Sequence, residues 1–184
     1  MKITSISRYL AVGLAAASLG FALPAGASVK THPIAFRAHY SGNIALLWSD
    51  SSVSATSLRA TGPATILGAR STLSGSGKAT TSATCDPLSG KGVLKGSGST
   101  LTLMVKVSPA TQACAAGDQA PTSVAVKGTA TVLSGTGKFS HATGVLHFTG
   151  ALSIKSNTAG SSEQDAFTAT LTGRILVPTI PAKR

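Results

Sequence analysis

The chain has 184 residues, with 16 lysines and arginines against five acidic residues, and a formal net charge of +11 at pH 7. This length fits one domain with its own core. The positive charge indicates anionic surroundings, such as an envelope polymer, a lipid surface or nucleic acid, although singly spaced charges are also typical of a solvated surface. Aromatic residues are only 4% of the chain. Because single-stranded nucleic acids are bound through interleaved aromatic and basic residues, we expect no nucleic-acid partner.

The N-terminus has the three parts of a secretory signal peptide. Lys2 and Arg8 form a basic start, and residues 9–23 are apolar. Small residues follow, and we place the cleavage between Ala27 and Ser28. We therefore predict a secreted protein, whose final location is extracellular, periplasmic or envelope-associated.

A membrane anchor is the alternative for the same segment. An anchor needs roughly 20 apolar residues without helix breakers, whereas this run contains two glycines and ends at Pro24. Residues 28–184 are then a single secreted domain without a transmembrane segment.

Two cysteines, Cys85 and Cys114, remain in this domain. An even number of cysteines in an exported chain predicts a disulfide. Closing a loop of about 30 residues would stabilise the fold by roughly 3.6 kcal/mol in the chain-entropy model. Both cysteines lie in loop-like sequence, so we expect the bridge to join two loops. A metal or redox role is the weaker alternative, because there is no CxxC spacing and no histidine close to either thiol. We predict neither a metal nor a cofactor.

Apolar and small polar residues alternate with a period of two through the rest of the chain, and no helical stripe interrupts them. The alternating stretches lie at residues 34–48, 53–58, 64–73, 101–107, 124–132, 146–154 and 167–177. The first is long enough for one long strand or a hairpin. Glycine, proline, asparagine and aspartate punctuate the gaps. About eight strands of this kind predict an all-β antiparallel barrel, with a β-sandwich as the alternative.

A glycine motif occurs twice, as LSGSGK at residues 73–78 and LSGTGK at residues 133–138. A phosphate-binding loop would need an additional glycine five positions before the Gly-Lys pair and a serine or threonine after it. The dinucleotide fingerprint fails as well, because Thr80 and Ser140 stand where its third glycine would be. The motif instead predicts a turn or bulge between strands.

The second copy extends to LSGTGKFSHATG, followed by an alternating strand and by FTATLTG at residues 167–173. This pattern resembles the GGTGRFxGATG hairpin of allene oxide cyclase and dirigent-like barrels, and of secreted bacterial proteins with the same signature. The resemblance covers residues 129–173, and Ser134 and His141 replace two of the family's glycines. It implies an eight-stranded antiparallel barrel with a central apolar cavity. The family's pocket acids and bases have no counterparts at identifiable positions.

The strand period also predicts where the ionisable side chains point. Arg37, His39, His147, Lys155 and Arg174 alternate with apolar residues and should face outward. A general acid or base inside the barrel is therefore not visible, unless a bulge shifts a strand by one residue.

Two further polar pairs could form a catalytic or a metal site. Glu163 and Asp165 would share one strand face, as paired carboxylates of a glycosidase do, but the preceding Gly-Ser-Ser favours a solvated loop. His141 and His147 are too far apart on an extended strand to share one metal ion. We predict no catalytic residue.

Four aromatic residues are candidates for lining a ligand pocket, namely Tyr40, Trp48, Phe148 and Phe167. A buried phenol or indole N–H seeks a hydrogen-bond partner, which a ligand can supply. The alternative is that these residues only fill the core.

The sequence is compatible with three functions. The first is a non-enzymatic barrel that binds a small apolar or amphiphilic ligand or associates with the cell envelope. The second is a cyclase- or dirigent-like enzyme that uses the cavity. The third is a structural protein whose basic exterior contacts an anionic envelope polymer.

Overall fold

The computed structural model describes residues 30–106 and 108–179. The predicted signal peptide, with its cleavage between Ala27 and Ser28, lies outside the described residues. Nine strands and one short 3₁₀ helix make up the described chain: β1 (Thr31–Ser49), β2 (Ser52–Ala64), β3 (Gly68–Thr80), β4 (Cys85–Gly96), β5 (Ser99–Val105), β6 (Gln112–Ala115), β7 (Thr122–Gly135), the 3₁₀ helix Gly137–Phe139, β8 (Thr143–Ile154) and β9 (Ser162–Pro178).

The strands form one antiparallel sheet that closes on itself. The order is β3-β2-β1-β9-β8-β7-β5-β4, and pairing of β3 with β4 completes a ring of eight. Strand β6 is the ninth; it lies between β4 and β7, beyond the end of β5. The predicted all-β antiparallel barrel is confirmed. Closure removes the open edges that a β-sandwich would leave exposed.

The period of two sorts each strand into an inner and an outer face. On β1, Phe36, Ala38 and Tyr40 are buried, while Arg37 and His39 between them are exposed. The same pattern on the other strands produces a single apolar core along the barrel axis. This burial is the main stabilising contribution, because it removes apolar side chains from water on every strand.

The longest strand pair is β1 with β9, which are in register from Thr31 opposite Pro178 to Leu47 opposite Ser162. Residues 34–48 therefore belong to one strand and not to a hairpin. A register shift against β2 between Ala45 and Leu46 marks a bulge in the middle of this long strand.

One end of the barrel is closed by side chains from its connections. Leu67 from the β2–β3 turn, Phe139 from the 3₁₀ helix and Ala142 are almost completely buried there. The second glycine motif forms this closure, since Gly137 has a φ of +60° at the start of the helix. For this copy the predicted turn is correct.

The first glycine motif behaves differently. Residues 73–78 lie inside β3, hydrogen-bonded on both sides to β2 and β4. The predicted turn is wrong for this copy, but a bulge is present, because the register of β2 shifts between Ala55 and Leu58, opposite Gly77 and Gly75. Gly75 and Gly77 of this copy lie on the inner face of the barrel, where the lack of a side chain leaves space.

The predicted disulfide between Cys85 and Cys114 is present. The two residues are not in loops, however, because Cys85 begins β4 and pairs directly with Cys114 on β6. The Cα atoms are 4.0 Å apart. The bridge thus attaches the extra strand to the barrel wall at the end opposite the Phe139 closure.

Candidate ligand cavity

A cavity of about 230 Å³ lies inside the barrel and is lined almost entirely by apolar residues. Side chains from β1, β2, β7, β8 and β9 form most of its wall. They include Ile44, Leu46, Trp48, Val53, Leu58, Val126, Phe148, Leu152, Phe167 and Leu171. An engineered apolar cavity of roughly 150 Å³ holds benzene in another protein. This interior therefore has room for a small ring compound or a short hydrocarbon chain.

The room comes from two glycine pairs on the inner face of β3 and β4. Gly75 pairs with Gly92, and Gly77 pairs with Gly90. All four line the cavity, at positions where other strands carry large side chains. A Cβ atom on Gly75 would lie 2.6 Å from the carbonyl oxygen of Lys91, closer than real Cβ atoms come. Small residues on this wall thus keep the cavity open and let the two strands approach closely.

A second, wider space of about 680 Å³ forms the mouth of the barrel. It shares lining residues with the cavity, among them Trp48, Val53 and Ile154, so the two spaces are adjacent. The mouth is more polar than the cavity. Its carboxylates come from Asp50, Asp86 and Asp118, and its other lining residues include the Thr80–Thr84 region. The interior is therefore apolar at depth and polar at the opening.

Three of the four aromatic residues proposed from the sequence line the cavity: Trp48, Phe148 and Phe167. Tyr40 does not. It is completely buried toward the closed end, and its hydroxyl lies 3.1 Å from the hydroxyl of Ser71. Burial raises the pKa of Tyr40, and the Ser71 contact offsets part of that effect. The phenol thus has a partner inside the protein and serves the core.

Trp48 also finds its partner within the chain. Its indole Nε1 donates a hydrogen bond of 3.0 Å to Oε1 of Glu163. The other oxygen of Glu163 accepts from the backbone N–H groups of Lys155 and Ser156, at 2.8 and 3.2 Å. Glu163 lies in β9 and not in the predicted solvated loop. Its carboxylate joins the ends of β1, β8 and β9 at the mouth.

Asp165 is the main departure from the predicted placement of ionisable groups. It lies in β9 with the same parity as Phe167, and only 2% of its surface is exposed. The prediction of a loop was wrong here, because the strand begins at Ser162 before its apolar pattern starts. The alternation itself carried the missing signal, since residues 165 and 167 must share a face. Asp165 is not among the residues that line the cavity or its mouth.

The Asp165 carboxylate is ion-paired with Lys155, whose Nζ lies 2.8 Å from Oδ1. The two charged groups are close enough for an ion pair. However, neither carboxylate oxygen of Asp165 accepts a hydrogen bond of good geometry from the described residues. The contact with this oxygen, together with its negative charge, raises the pKa of Lys155. Lys155 also donates to the backbone oxygen of Gln164 at 3.1 Å. It fastens the end of β8 onto β9, where direct strand pairing has stopped.

Asp86 organises the other side of the mouth. Its carboxylate accepts hydrogen bonds from the Thr80 hydroxyl, from the hydroxyl and backbone N–H of Ser82, and from the backbone N–H of Ala83. Burial opposes ionisation, but these hydrogen bonds together outweigh it and lower the pKa of Asp86. The ionised side chain therefore holds the β3–β4 connection in shape, one residue from the disulfide.

The outward positions agree with the predicted parity. Arg37, His39, His147, Lys155 and Arg174 are all exposed. Among the described residues, no group of three histidine, cysteine, aspartate or glutamate side chains is arranged to hold a metal ion. No helix in the described part of the chain is long and apolar enough to cross a membrane.

The structure is thus a closed eight-stranded antiparallel barrel with one additional strand and an apolar interior that opens at one end. Comparisons with protein-family models, with curated proteins and with solved structures found no match. The resemblance to allene oxide cyclase and dirigent-like barrels therefore stays a prediction from the second glycine motif.

Proposed function

We propose that this protein is an exported, non-enzymatic barrel that binds a small apolar or amphiphilic molecule in its interior. The observation that carries the proposal is the apolar cavity of about 230 Å³ that lies next to a polar mouth and shares lining residues with it. Eight-stranded barrels are at the size where the interior is either filled by side chains or holds one small ligand. Here glycines on two adjacent strands leave the space unfilled.

The shape of the interior indicates the kind of ligand. Burying hydrocarbon in a dry apolar cavity contributes about 25 cal/mol for each Å² removed from water, so a tail of several carbons supplies useful affinity. The mouth can solvate a polar head group. A short amphiphile satisfies both regions, and a small apolar ring satisfies the inner one.

The lining favours binding over catalysis. Its ionisable residues are Lys78 and Lys91, which occupy outward-facing positions and are exposed. The two buried carboxylates at this end, Asp86 and Asp165, are engaged in loop hydrogen bonds and in an ion pair. A cyclase- or dirigent-like reaction inside the cavity would need an acid or base that reaches the bound molecule. The described lining of the cavity offers no carboxylate or histidine for that role, and the carboxylates of Asp50, Asp86 and Asp118 lie at the mouth.

Export is part of the same proposal. A disulfide persists in oxidising compartments and is rare in the cytosol, and Cys85 and Cys114 are bridged. The basic and apolar N-terminal sequence is of the kind that directs a chain to such a compartment.

Intrinsic fluorescence gives a direct test, because Trp48 is the only tryptophan of the chain and lines the cavity. We expect a series of linear alkanols to change its emission in a saturable way, with affinity rising with chain length until the cavity is full. Native mass spectrometry of protein purified from its own host should show a retained small molecule.

Two alanine-to-phenylalanine variants of β9 provide a matched control. Ala169→Phe fills the cavity, whereas Ala166→Phe adds the same ring to the exposed face of the same strand. We expect Ala169→Phe alone to abolish alkanol binding. The proposal fails if no alkanol saturates the wild-type signal, or if both variants bind as the wild type does.

A further inference from the structure

The acidic residues are confined to one end of the barrel, whereas basic residues occur at both ends. All five acidic residues of the chain lie at the mouth end, in the turns beside it or at the starts of strands that surround it. They are Asp50, Asp86, Asp118, Glu163 and Asp165. The closed end therefore carries cations without acidic neighbours.

The closed end also exposes apolar side chains. Five large hydrophobic residues of the described chain are exposed, and three of them lie on adjacent strands there: Leu133, Val145 and Leu176. Leu176 pairs with Thr143, which places Val145 on the diagonal, roughly 7–8 Å away. Because Val132 pairs with Gly144, Leu133 lies beside Thr143 from the other side. These three residues are called the closed-end patch below.

Cations surround the closed-end patch. Arg174 stands directly opposite Val145 on the outer face. Arg37 lies further along the neighbouring strand β1, and Lys138 belongs to the 3₁₀ helix that closes the barrel. Lys30 is held at the same end, where its carbonyl accepts from the N–H of Thr179 at 2.8 Å.

On β9, the acidic residue closest to the patch is Asp165, which lies near the other end of the strand. Leu176 is eleven residues from Asp165, a separation of about 36 Å on an extended strand. This distance is several times the Debye length of roughly 8 Å at physiological ionic strength. The acids at the mouth therefore do not cancel the positive potential at the closed end.

We propose that the closed end docks on the surface of an anionic lipid bilayer. Exposed apolar side chains can enter the boundary between head groups and acyl chains, while lysines and arginines around them contact lipid phosphates. A dissolved anionic polymer would use the cations but would leave the three apolar side chains in water. This orientation points the mouth of the cavity away from the membrane and leaves it open.

Co-sedimentation with vesicles tests the proposal on the full chain. Vesicles of phosphatidylglycerol mixed with phosphatidylcholine should bind the protein, and vesicles of pure phosphatidylcholine should bind it far less. We expect Leu133→Ser/Val145→Ser/Leu176→Ser to weaken partitioning at least about tenfold. Arg174→Ser should weaken it about fivefold, the typical effect of one cation near an anionic surface.

Matched controls come from the opposite end. Leu47 is exposed to 46%, the same fraction as Leu133, but lies near the mouth. Leu47→Ser and Lys78→Ser should therefore change partitioning less than about twofold. Circular dichroism should show that every variant keeps the β-sheet spectrum of the wild type.

Four outcomes would overturn the proposal. Failure to bind anionic vesicles is the first, and equal losses in the patch and control variants, which would indicate net charge alone, is the second. The third is undiminished binding of the triple serine variant to anionic vesicles. The fourth is tight binding to polyphosphate without lipid that the patch substitutions do not affect, because a polymer would then be the partner. The result does not depend on the cavity, so Ala169→Phe should bind vesicles as the wild type does.

Discussion

The indole nitrogen of Trp48 and the carboxylate of Glu163 are joined by a hydrogen bond of 3.0 Å across the ends of β1 and β9. Leu46 pairs with Glu163 in the strand register, so Trp48 reaches the carboxylate diagonally. Trp48 lines both the cavity and the mouth. The hydrogen bond therefore fixes the indole at the boundary between the two spaces.

Replacing Glu163 by Gln should loosen this boundary. The amide keeps the shape but has one accepting atom in place of the two that now serve Trp48, Lys155 and Ser156. At least one donor loses its partner, which should cost about 1–3 kcal/mol in the free energy of unfolding. Urea denaturation followed by Trp48 emission measures the loss. Gln164→Ala, on the exposed neighbour, should stay within about 0.5 kcal/mol of the wild type, and an equal loss in both variants would contradict the role of Glu163.

The lowered pKa of Asp86 predicts a specific acid response. A carboxyl group whose folded pKa lies below its ordinary value stabilises the fold above that value, here 3.8, and loses the contribution as the pH falls through the folded pKa. In Asp86→Asn this part of the pH dependence should be absent. Unfolding free energies measured from pH 6 down to pH 2 for both proteins provide the test. Parallel curves would show that Asp86 does not contribute through its ionisation.

The pair of Lys155 and Asp165 should act at the alkaline limit. A raised folded pKa for Lys155 means that the stabilisation is complete below its ordinary value of 10.5 and is lost as the pH rises through the folded pKa. Tyr40 contributes in the same direction, because its raised pKa keeps the phenol neutral in the fold. In Lys155→Met the free energy of unfolding should therefore fall less steeply at alkaline pH than in the wild type. In Lys155→Met/Tyr40→Phe it should fall less steeply still.

Removing only the lysine also leaves the buried Asp165 carboxylate without its counter-ion. At neutral pH we therefore expect Lys155→Met to be less stable than Lys155→Met/Asp165→Asn. Thermal unfolding of the two variants measures the order. The reverse order would show that Asp165 needs its charge for a partner other than Lys155.

The strand pattern is strong enough to predict the barrel because alternation is dictated by burial of one face on every strand. The alternation does not predict the strand at residues 85–96, because Gly90 and Gly92 stand where apolar side chains would otherwise occupy its inner face. A glycine on the inside of a strand carries no hydrophobic signal. The same absence hid the cavity, whose existence depends on which glycines face each other across β3 and β4.

The misplacement of Asp165 has a related cause. An acidic residue near Gly-Ser-Ser has the composition of a loop. Alternation places Asp165 on the face of Phe167 only if the strand extends back that far, and the pairing of β9 with β1 from Ser162 onward shows that it does. Long-range pairing of this kind is not encoded in local composition. Trp48 and Phe167, by contrast, were identifiable because their parity and size agree with an inner position.

The disulfide should stabilise the mouth more than the rest of the barrel. Cys85 and Cys114 are 29 residues apart in sequence, and a loop of this length corresponds to about 3.6 kcal/mol in the chain-entropy model. We expect Cys85→Ser/Cys114→Ser to lose roughly 2–4 kcal/mol. The lower global stability should raise amide hydrogen exchange in every strand, and we expect an additional rise in β6 and in residues 81–85. A uniform rise over all strands would contradict a local role.

The cross-strand pair Gly75 and Gly92 offers a test of the cavity wall. We expect Gly75→Ala to destabilise the fold and Gly92→Ala to be tolerated. A Cβ on Gly75 would lie 2.6 Å from the Lys91 carbonyl oxygen, whereas a Cβ on Gly92 would lie 3.3 Å from the Ser74 oxygen and 3.6 Å from the Leu73 side chain. In Gly75→Ala the backbone must therefore move, which should lower the free energy of unfolding by about 1–3 kcal/mol.

In Gly92→Ala the neighbouring atoms of Ser74 and Leu73 need to shift by only a few tenths of an ångström. Gly92→Ala should then change the free energy of unfolding by less than about 1 kcal/mol, because the smaller entropy of the unfolded chain offsets the tight contact. Urea denaturation compares the two variants, and alkanol titration of Gly92→Ala should show a modest loss for the longest chains, since the new methyl group enters the cavity. Equal stability of the two alanine variants would show that β3 and β4 can separate freely, and the glycines would then not be what sets the width of the cavity.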